Sequence, residues 1–172
     1  RVMCVSSDYG LSMSQTEPAL VSTGLFSPMD IDHFDARLYI PDPMNLAANY
    51  DAVLLWSQKS FADKQLLGNA LRTYVDEGGG VVIATYALTQ GDLEIAGEIL
   101  GSGYSPFLPG PAQEVAGQLN PGSVSEPTHP FFENVDLNNV TYDVDEDFSS
   151  PDMNGYADVL LALDMDGNRL IA

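Results

Sequence analysis

The stretch that decides the fold is residues 50–86, YDAVLLWSQKSFADKQLLGNALRTYVDEGGGVVIATY. It holds two continuous apolar runs, residues 52–56 and 81–84, each of strand length and apolar enough for a strand buried on both faces. Between them the sequence predicts a helix that Ser60 caps and the glycines at 78–80 end. A strand, a helix and a strand in this order predict a right-handed βαβ unit with parallel strands.

The intervening helix has apolar positions spaced as a buried helical stripe requires. They are Leu66, Leu67, Ala70, Leu71, Tyr74 and Val75. Arg72 precedes Asp76 by one helical turn, so the two side chains are expected to pair.

Upstream, residues 2–6 predict a buried strand, followed by a helix that Thr16 caps with Pro18 in its first turn. A second, more exposed strand is expected within residues 29–38, and Pro41 and Pro43 indicate a connection. These elements extend the βαβ unit into a layered α/β domain.

Downstream, the pattern predicts a helix from Thr89 to Leu100 and then a long loop over residues 101–128, with a short strand near 113–119. An extended segment is expected at 140–148. Residues 157–164 and 169–172 predict two strands joined by a turn at Asp166-Gly167. The fold class is therefore α/β, a flavodoxin-like three-layer α/β/α sandwich with a mainly parallel sheet and a late β-hairpin.

The composition limits the classes of function that the chain can have. The chain has 172 residues, with 6 Lys and Arg against 25 Asp and Glu, for a formal charge of −19. That charge repels phosphate backbones and anionic membranes, so neither nucleic-acid binding nor membrane insertion is expected. The length suits a single domain over residues 1–172. Because the sequence starts within a strand pattern, we expect this domain to be a fragment of a longer chain. The acidic, lysine-poor composition favours an extracellular or cell-surface location, with the periplasm as an alternative.

Residues 50–56, the helix end at 71–80 and the strand at 81–86 together resemble the class I glutamine amidotransferase-like superfamily, nearest its ThuA-like and bacterial surface-protein branches. His129-Pro130-Phe131 and the segment 160–172 are similar to later parts of the superfamily pattern. The resemblance implies a flavodoxin-like fold, in agreement with the βαβ pattern. It also implies a cysteine or serine nucleophile on the turn after the second strand of that unit.

The turn in question reads Thr85-Tyr86-Ala87-Leu88, so this chain lacks the expected nucleophile. A phenol with an ordinary pKa of about 10 is a poor nucleophile unless it is activated. Cys4, the single cysteine, falls inside the first predicted strand, where a buried thiol is inert. Glutaminase chemistry is therefore not expected.

Loops at the carboxyl ends of parallel strands converge on one edge of a sheet, where a ligand pocket forms. The polar candidates for binding a small polar ligand or a glycan there are Ser7, Asp8, Tyr9, Ser57, Gln58, Lys59 and Tyr86. The alternative is that these side chains only cap loops and helices.

Two further constellations carry weaker hypotheses. His129 would act as a general base if Glu146 oriented it, with Tyr86 nearby, although a histidine before proline more often stabilises a turn. No cofactor is expected. The alternative is a calcium ion, because carboxylates, which are ligands that calcium prefers, cluster in two places. These carboxylates are Asp143, Asp145, Asp147, Asp164 and Asp166.

The sequence thus favours a non-catalytic binding or structural module of a larger secreted or surface bacterial protein. Its partners would be other domains of that protein or neighbouring subunits. One alternative is a hydrolase acting on a carbohydrate or an amide. The other is a self-assembling structural subunit, because an incomplete hairpin at Ala172 would leave an unpaired strand edge.

Overall fold

The computed structural model describes residues 1–8, 10–84, 86–114, 117–119, 121–124, 128, 142–144, 147–149, 152–153 and 162–164. Of residues 11–13 and of the strands from residue 112 onward, only the backbone is described. The helices are α1 Leu11–Ser22, α2 Pro43–Asn49 and α3 Lys64–Asp76. Within these ranges, no helix combines the length and apolar character that crossing a membrane requires.

Four strands form the central sheet: β1 Val2–Ser7, β2 Ile31–Asp35, β3 Ala52–Ser57 and β4 Gly80–Ile83. They lie in the order β2-β1-β3-β4, and every neighbouring pair is parallel. Val53 lies opposite Val81 in the parallel register, which confirms the predicted βαβ unit. The strand order is that of a flavodoxin-like α/β fold.

Helices cover both faces of the sheet. On one face, Val53 and Leu55 pack in a cluster with Leu67 and Leu71 of α3. Helix α2 joins the same cluster through its buried residue Leu46. On the other face, Cys4 and Trp56 contact the apolar side of α1 and the segment that follows it. Because alternate residues of β1 and β3 are buried on opposite faces, the continuous apolar runs in the sequence are explained.

Helix α3 confirms the predicted stripe apart from Leu66, which is exposed, and the helix begins later than predicted. Its cap is Asp63 and not Ser60, since the Asp63 carboxylate accepts hydrogen bonds from the backbone N–H groups of Gln65 and Leu66. A carboxylate at this position satisfies two amides that the helix leaves unpaired and also interacts favourably with the helix dipole. The predicted ion pair of Arg72 with Asp76 is present at 2.9 Å.

Two helix boundaries were predicted wrongly near the amino terminus. Helix α1 starts five residues before Thr16, after Gly10 in the left-handed conformation, and it continues through Pro18. The Pro43 connection is in fact the first turn of α2, where Asp42 caps the helix by accepting from Asn45 N. Proline suits the first helical turn because the N–H it lacks would be unpaired there.

The helix predicted from Thr89 to Leu100 is wrong apart from a 3-10 turn at Glu98–Leu100. A Cβ atom at Gly68 of α3 would lie 1.6 Å from the carbonyl oxygen of Ala96, so the two backbones are in direct contact. Gly97 has a φ of +85°, which a regular helix does not allow. Close packing on α3 therefore overrides the helical pattern, and the apolar residues Ile95 and Ile99 of this segment are buried.

The later strands form four antiparallel pairs. They are β5 Phe107–Leu108 with β11 Asp152–Met153, β6 Ala112–Glu114 with β10 Asp147–Ser149, β7 Gly117–Leu119 with β9 Tyr142–Val144, and β8 Pro121–Val124 with β12 Ala162–Asp164. Strands thus occur in the segments predicted near 113–119, 140–148 and 157–164. The second strand of the predicted hairpin, residues 169–172, lies outside the described residues.

Two adjacent leucines of α3 test this packing. Leu67 is fully buried, whereas the side chain of Leu66 is 55% exposed although the sequence predicted it to be buried. Leu67→Ala should lower the free energy of unfolding by about 2–5 kcal/mol, because it leaves a cavity in the core. Leu66→Ala should change it by less than about 0.5 kcal/mol. Urea denaturation of both variants measures the difference, and equal losses would contradict the placement of α3.

Candidate functional site

The candidate site lies where the order of the parallel strands reverses. The chain passes from β1 to the neighbouring β2, and then crosses to the opposite side of β1 to form β3. The crossovers on the two sides diverge at this point, which leaves a crevice beyond the carboxyl ends of β1 and β3. Those ends are Ser7 and Ser57, which lie opposite each other in the register.

A cavity of about 270 Å³ lies at this edge. Its lining comes from α1, from β3 and from the segments that follow β3 and β4, and consists of Thr16, Leu54, Trp56, Ser57, Gln58, Ala84 and Tyr86. Three of the predicted ligand-binding residues, Ser57, Gln58 and Tyr86, are therefore brought together. The apolar lining was missed, although the alternation along β3 could have placed Leu54 and Trp56 on one face.

A buried carboxylate holds one wall of the cavity in place. Asp8 is only 1% exposed, and its two oxygens accept hydrogen bonds from Trp56 Nε1 at 2.8 Å and from the backbone N–H of Gly10 at 2.5 Å. A buried carboxylate requires such partners, because desolvation of an unpaired charge is costly. Asp8 thus joins the loop after β1 to the indole on β3.

Ser7 and Lys59, also predicted to bind ligand, lie beside the cavity. The Ser7 hydroxyl donates to the carbonyl oxygen of Lys59, and the backbone N–H groups of Gln58 and Lys59 both donate to the Ser7 carbonyl. These bonds join the loop after β3 to the end of β1. The side-chain role predicted for them remains a prediction, and Tyr9 lies outside the described residues.

Ser57 is a polar residue whose hydrogen bonding is incomplete. It is fully buried, and its Oγ has no hydrogen-bond partner among the described residues. An unpaired buried hydroxyl costs about 1–3 kcal/mol, so native proteins seldom keep one without a reason. The alternation along β3 places its side chain on the face of Val53 and Leu55, opposite the Leu54 and Trp56 side chains that line the cavity.

Tyr86 occupies a strained turn after β4. Its φ is +61°, and among the described residues no other non-glycine residue has a positive φ. Hydrogen bonds from Ala87 N to Ala84 O and from Thr89 N to Tyr86 O close the turn, while Ala87 and Leu88 are buried in the core on the α3 side. Left-handed backbone is unfavourable for a residue with a Cβ atom, and such strain is concentrated at functional sites.

Cys4 cannot replace the absent nucleophile. It is fully buried on β1, in the cluster that α1 covers. Burial raises the pKa of the Cys4 thiol from 9.0 to about 11, and the nearby carboxylate of Glu17 adds to the effect. The group is therefore a protonated, inaccessible thiol at neutral pH, as the sequence predicted.

The remaining candidates are not tested by the structure. His129, Glu146, Asp145 and Asp166 lie outside the described residues. Asp143, Asp147 and Asp164 are described only as backbone positions in strands β9, β10 and β12. Over the part of the chain whose side chains are described, no three His, Cys, Asp or Glu residues are grouped so that they could hold a metal ion. Calcium binding remains a prediction.

The Asp8 bridge can be tested through Trp56, the single tryptophan of the chain. Asp8→Ala should lower the free energy of unfolding by about 1–3 kcal/mol, because the buried Trp56 N–H and the partly buried Gly10 N–H lose their acceptor, and should shift the tryptophan emission. Asp8→Asn retains one acceptor oxygen and should have a smaller effect. The exposed Asp92→Ala is the control, and an Asp8→Ala variant as stable as this control would refute the bridge.

The raised pKa of the Cys4 thiol predicts that the free energy of unfolding falls as the pH becomes alkaline. Since its folded pKa is raised, the unfolded chain loses the thiol proton first as the pH rises. The thiol's contribution to stability is complete below pH 9 and is lost progressively between pH 9.0 and about 11. Urea denaturation across this range should show a steeper decline for the native chain than for Cys4→Ala, and identical declines would contradict the prediction.

Comparisons with known proteins give one loose similarity. No protein-family profile matches the chain, and no curated protein matches it. The structure is similar to a crystal structure described as that of a ThuA-like protein from Bacteroides uniformis, with 17% sequence identity and a TM-score of 0.47. The match covers 87% of this chain and 60% of that protein, so this chain spans less than two thirds of its length. At this level of similarity we assign the α/β class from the strand order alone.

Proposed function

We propose that this domain is a non-catalytic amidotransferase-like module that binds a small polar ligand in the cavity at the carboxyl edge of its sheet. The proposal rests on the position and the backbone conformation of Tyr86. It occupies the strained turn after β4, where the superfamily that the sequence resembles has a nucleophilic cysteine or serine. The domain would thus retain the position of a reactive group without its chemistry.

The surroundings of Tyr86 also favour binding over catalysis. A phenol becomes a useful nucleophile when a neighbouring base or cation lowers its pKa. Among the described residues, those that line the cavity with Tyr86 include no histidine, lysine, arginine or carboxylate. Hydroxyl and amide groups such as those of Thr16 and Gln58 are suited to hydrogen bonding of a ligand.

The setting in a larger secreted or surface bacterial protein rests on charge. The chain carries a net charge of −19 with six basic residues, two of them lysines. Such a surface keeps a domain soluble and repels anionic polymers. Its partners would be other domains of the parent protein or neighbouring subunits.

The proposal predicts an absence of turnover. Screens with ester, amide and glycoside substrates should give rates equal to background for the native chain and for Tyr86→Phe alike, because the turn after β4 lacks the cysteine or serine that the superfamily has there. Turnover that disappears in Tyr86→Phe would overturn the non-catalytic role. Turnover that survives this change but is lost in His129→Ala would also overturn it, in favour of a hydrolase that uses His129.

A further inference from the structure

We propose that the packing of residues 95–98 against helix α3 fixes the conformation of Tyr86, so that Gly68 of α3 is a positioning residue for the cavity on the other face of the sheet. The importance of this coupling for ligand binding rests on the proposed function. The coupling itself follows from hydrogen bonds and close contacts between described residues.

The turn at Tyr86 carries the chain from the face of the cavity to the face of α3. Ala84 and Tyr86 line the cavity, whereas Ala87 and Leu88 are buried in the cluster that includes the core residues of α3. The φ of +61° at Tyr86 marks the point where the chain changes sides. A non-glycine residue keeps such a strained conformation only when its surroundings enforce it. The contacts of the residues that follow Tyr86 therefore hold the turn.

Hydrogen bonds on the α3 side fix the residues that follow Tyr86. The backbone N–H of Ile95 donates to the Ala87 carbonyl at 2.8 Å, and that of Gly110 donates to the Leu88 carbonyl at 2.9 Å. Ala87 and Ile95 are both fully buried. Since a buried backbone group is costly to leave without a partner, Ala87 and Ile95 are expected to move together. The position of Ile95 thus determines that of Ala87, and through Ala87 the conformation of the turn.

Residues 95–98 lie against α3 with no spare room between the two backbones. A Cβ atom at Gly68 would lie 1.6 Å from the carbonyl oxygen of Ala96. The backbone N–H of Glu98 donates to the Asn69 side chain at 2.9 Å, which joins the segment to the helix a second time. Close-packed interiors transmit displacements because they hold few voids. A methyl group at position 68 must therefore displace residues 95–98 from the helix.

The Tyr86 turn is the element that can adopt two states. Once residues 95–98 no longer hold Ala87 in place, Tyr86 can relax from the left-handed region to a negative φ, which relieves the strain. This rotation of the backbone changes the direction of the side chain and removes the phenol from its place in the lining. Gly68 thus acts on the cavity through the turn, although α3 covers the opposite face of the sheet.

Two substitutions at position 86 measure the strain without the phenol. Tyr86→Gly and Tyr86→Ala both remove the ring, but glycine adopts a positive φ without strain and alanine does not. In the full chain, Tyr86→Gly should melt about 2–4 °C above Tyr86→Ala. When Gly68→Ala is added to both, the difference should disappear, because the turn has already relaxed. Uncoupled sites give additive effects, so a difference that persists in full with Gly68→Ala would overturn the proposal.

Two further variants of α3 complete this experiment. Leu66→Ala, at an exposed position of the helix, is the matched control and should leave the difference at position 86 unchanged. Where Gly68→Ala does not fold, Asn69→Ala is the milder variant, since it removes one acceptor for residues 95–98 and keeps the helix backbone. It should reduce the difference at position 86. A difference equal to that in the Leu66→Ala control would overturn the coupling.

The emission of Trp56, the single tryptophan, reports on the cavity itself. Gly68→Ala should shift this emission in the chain that carries Tyr86 and leave it unchanged in Tyr86→Ala, because the phenol is the part of the lining that moves. An emission that Gly68→Ala does not shift would overturn the role of Gly68 as a positioning residue. Neither measurement uses a ligand, so these failures would leave the proposed binding function standing, and the substrate screens test its non-catalytic character separately.

Discussion

The parallel pairing of β1 with β3 is the constraint on which the rest of the structure depends. Parallel strands cannot be joined by a tight turn, so each connection must cross a face of the sheet, and helices cover both faces as a result. Since β1 also pairs with β2 on its other edge, the crossovers diverge at the carboxyl ends of β1 and β3. The cavity forms at this divergence, and the polar residues that follow the two strands meet there.

Polar groups at this edge differ in how well they are satisfied. The Asp8 carboxylate is buried and fixed by two donors, which makes it part of the framework. The Ser57 hydroxyl is equally buried and lacks a partner among the described residues, while Tyr86 holds an unfavourable backbone conformation. Natural proteins keep defects of this kind where a function requires them, and compensate for them with stability elsewhere. Here that stability comes from the apolar cluster between the sheet and α3.

Where sequence patterns and structure disagree, packing between elements is the reason. Ser60 and Asp63 both precede the apolar stripe and both can cap a helix, so the pattern alone cannot choose between them. The segment from Thr89 to Leu100 has helical spacing, yet the contact of the Ala96 carbonyl with Gly68 requires a different backbone. Such contacts join residues far apart in the chain, and local propensity does not report them.

The sequence by itself determined the strands β3 and β4, the helix between them and their parallel pairing, because burial on both faces demands continuous apolar runs and a striped helix. It also determined that no cysteine follows β4. Only the tertiary structure decided which polar residues share a cavity. Ser57, Gln58 and Tyr86 line it together with Trp56, whereas Ser7 and Lys59 bond to each other's backbone beside it. The reason is geometric: the strand order brings the loops to one edge, and the hydrogen bonds of the folded chain then decide which side chains face the space between them.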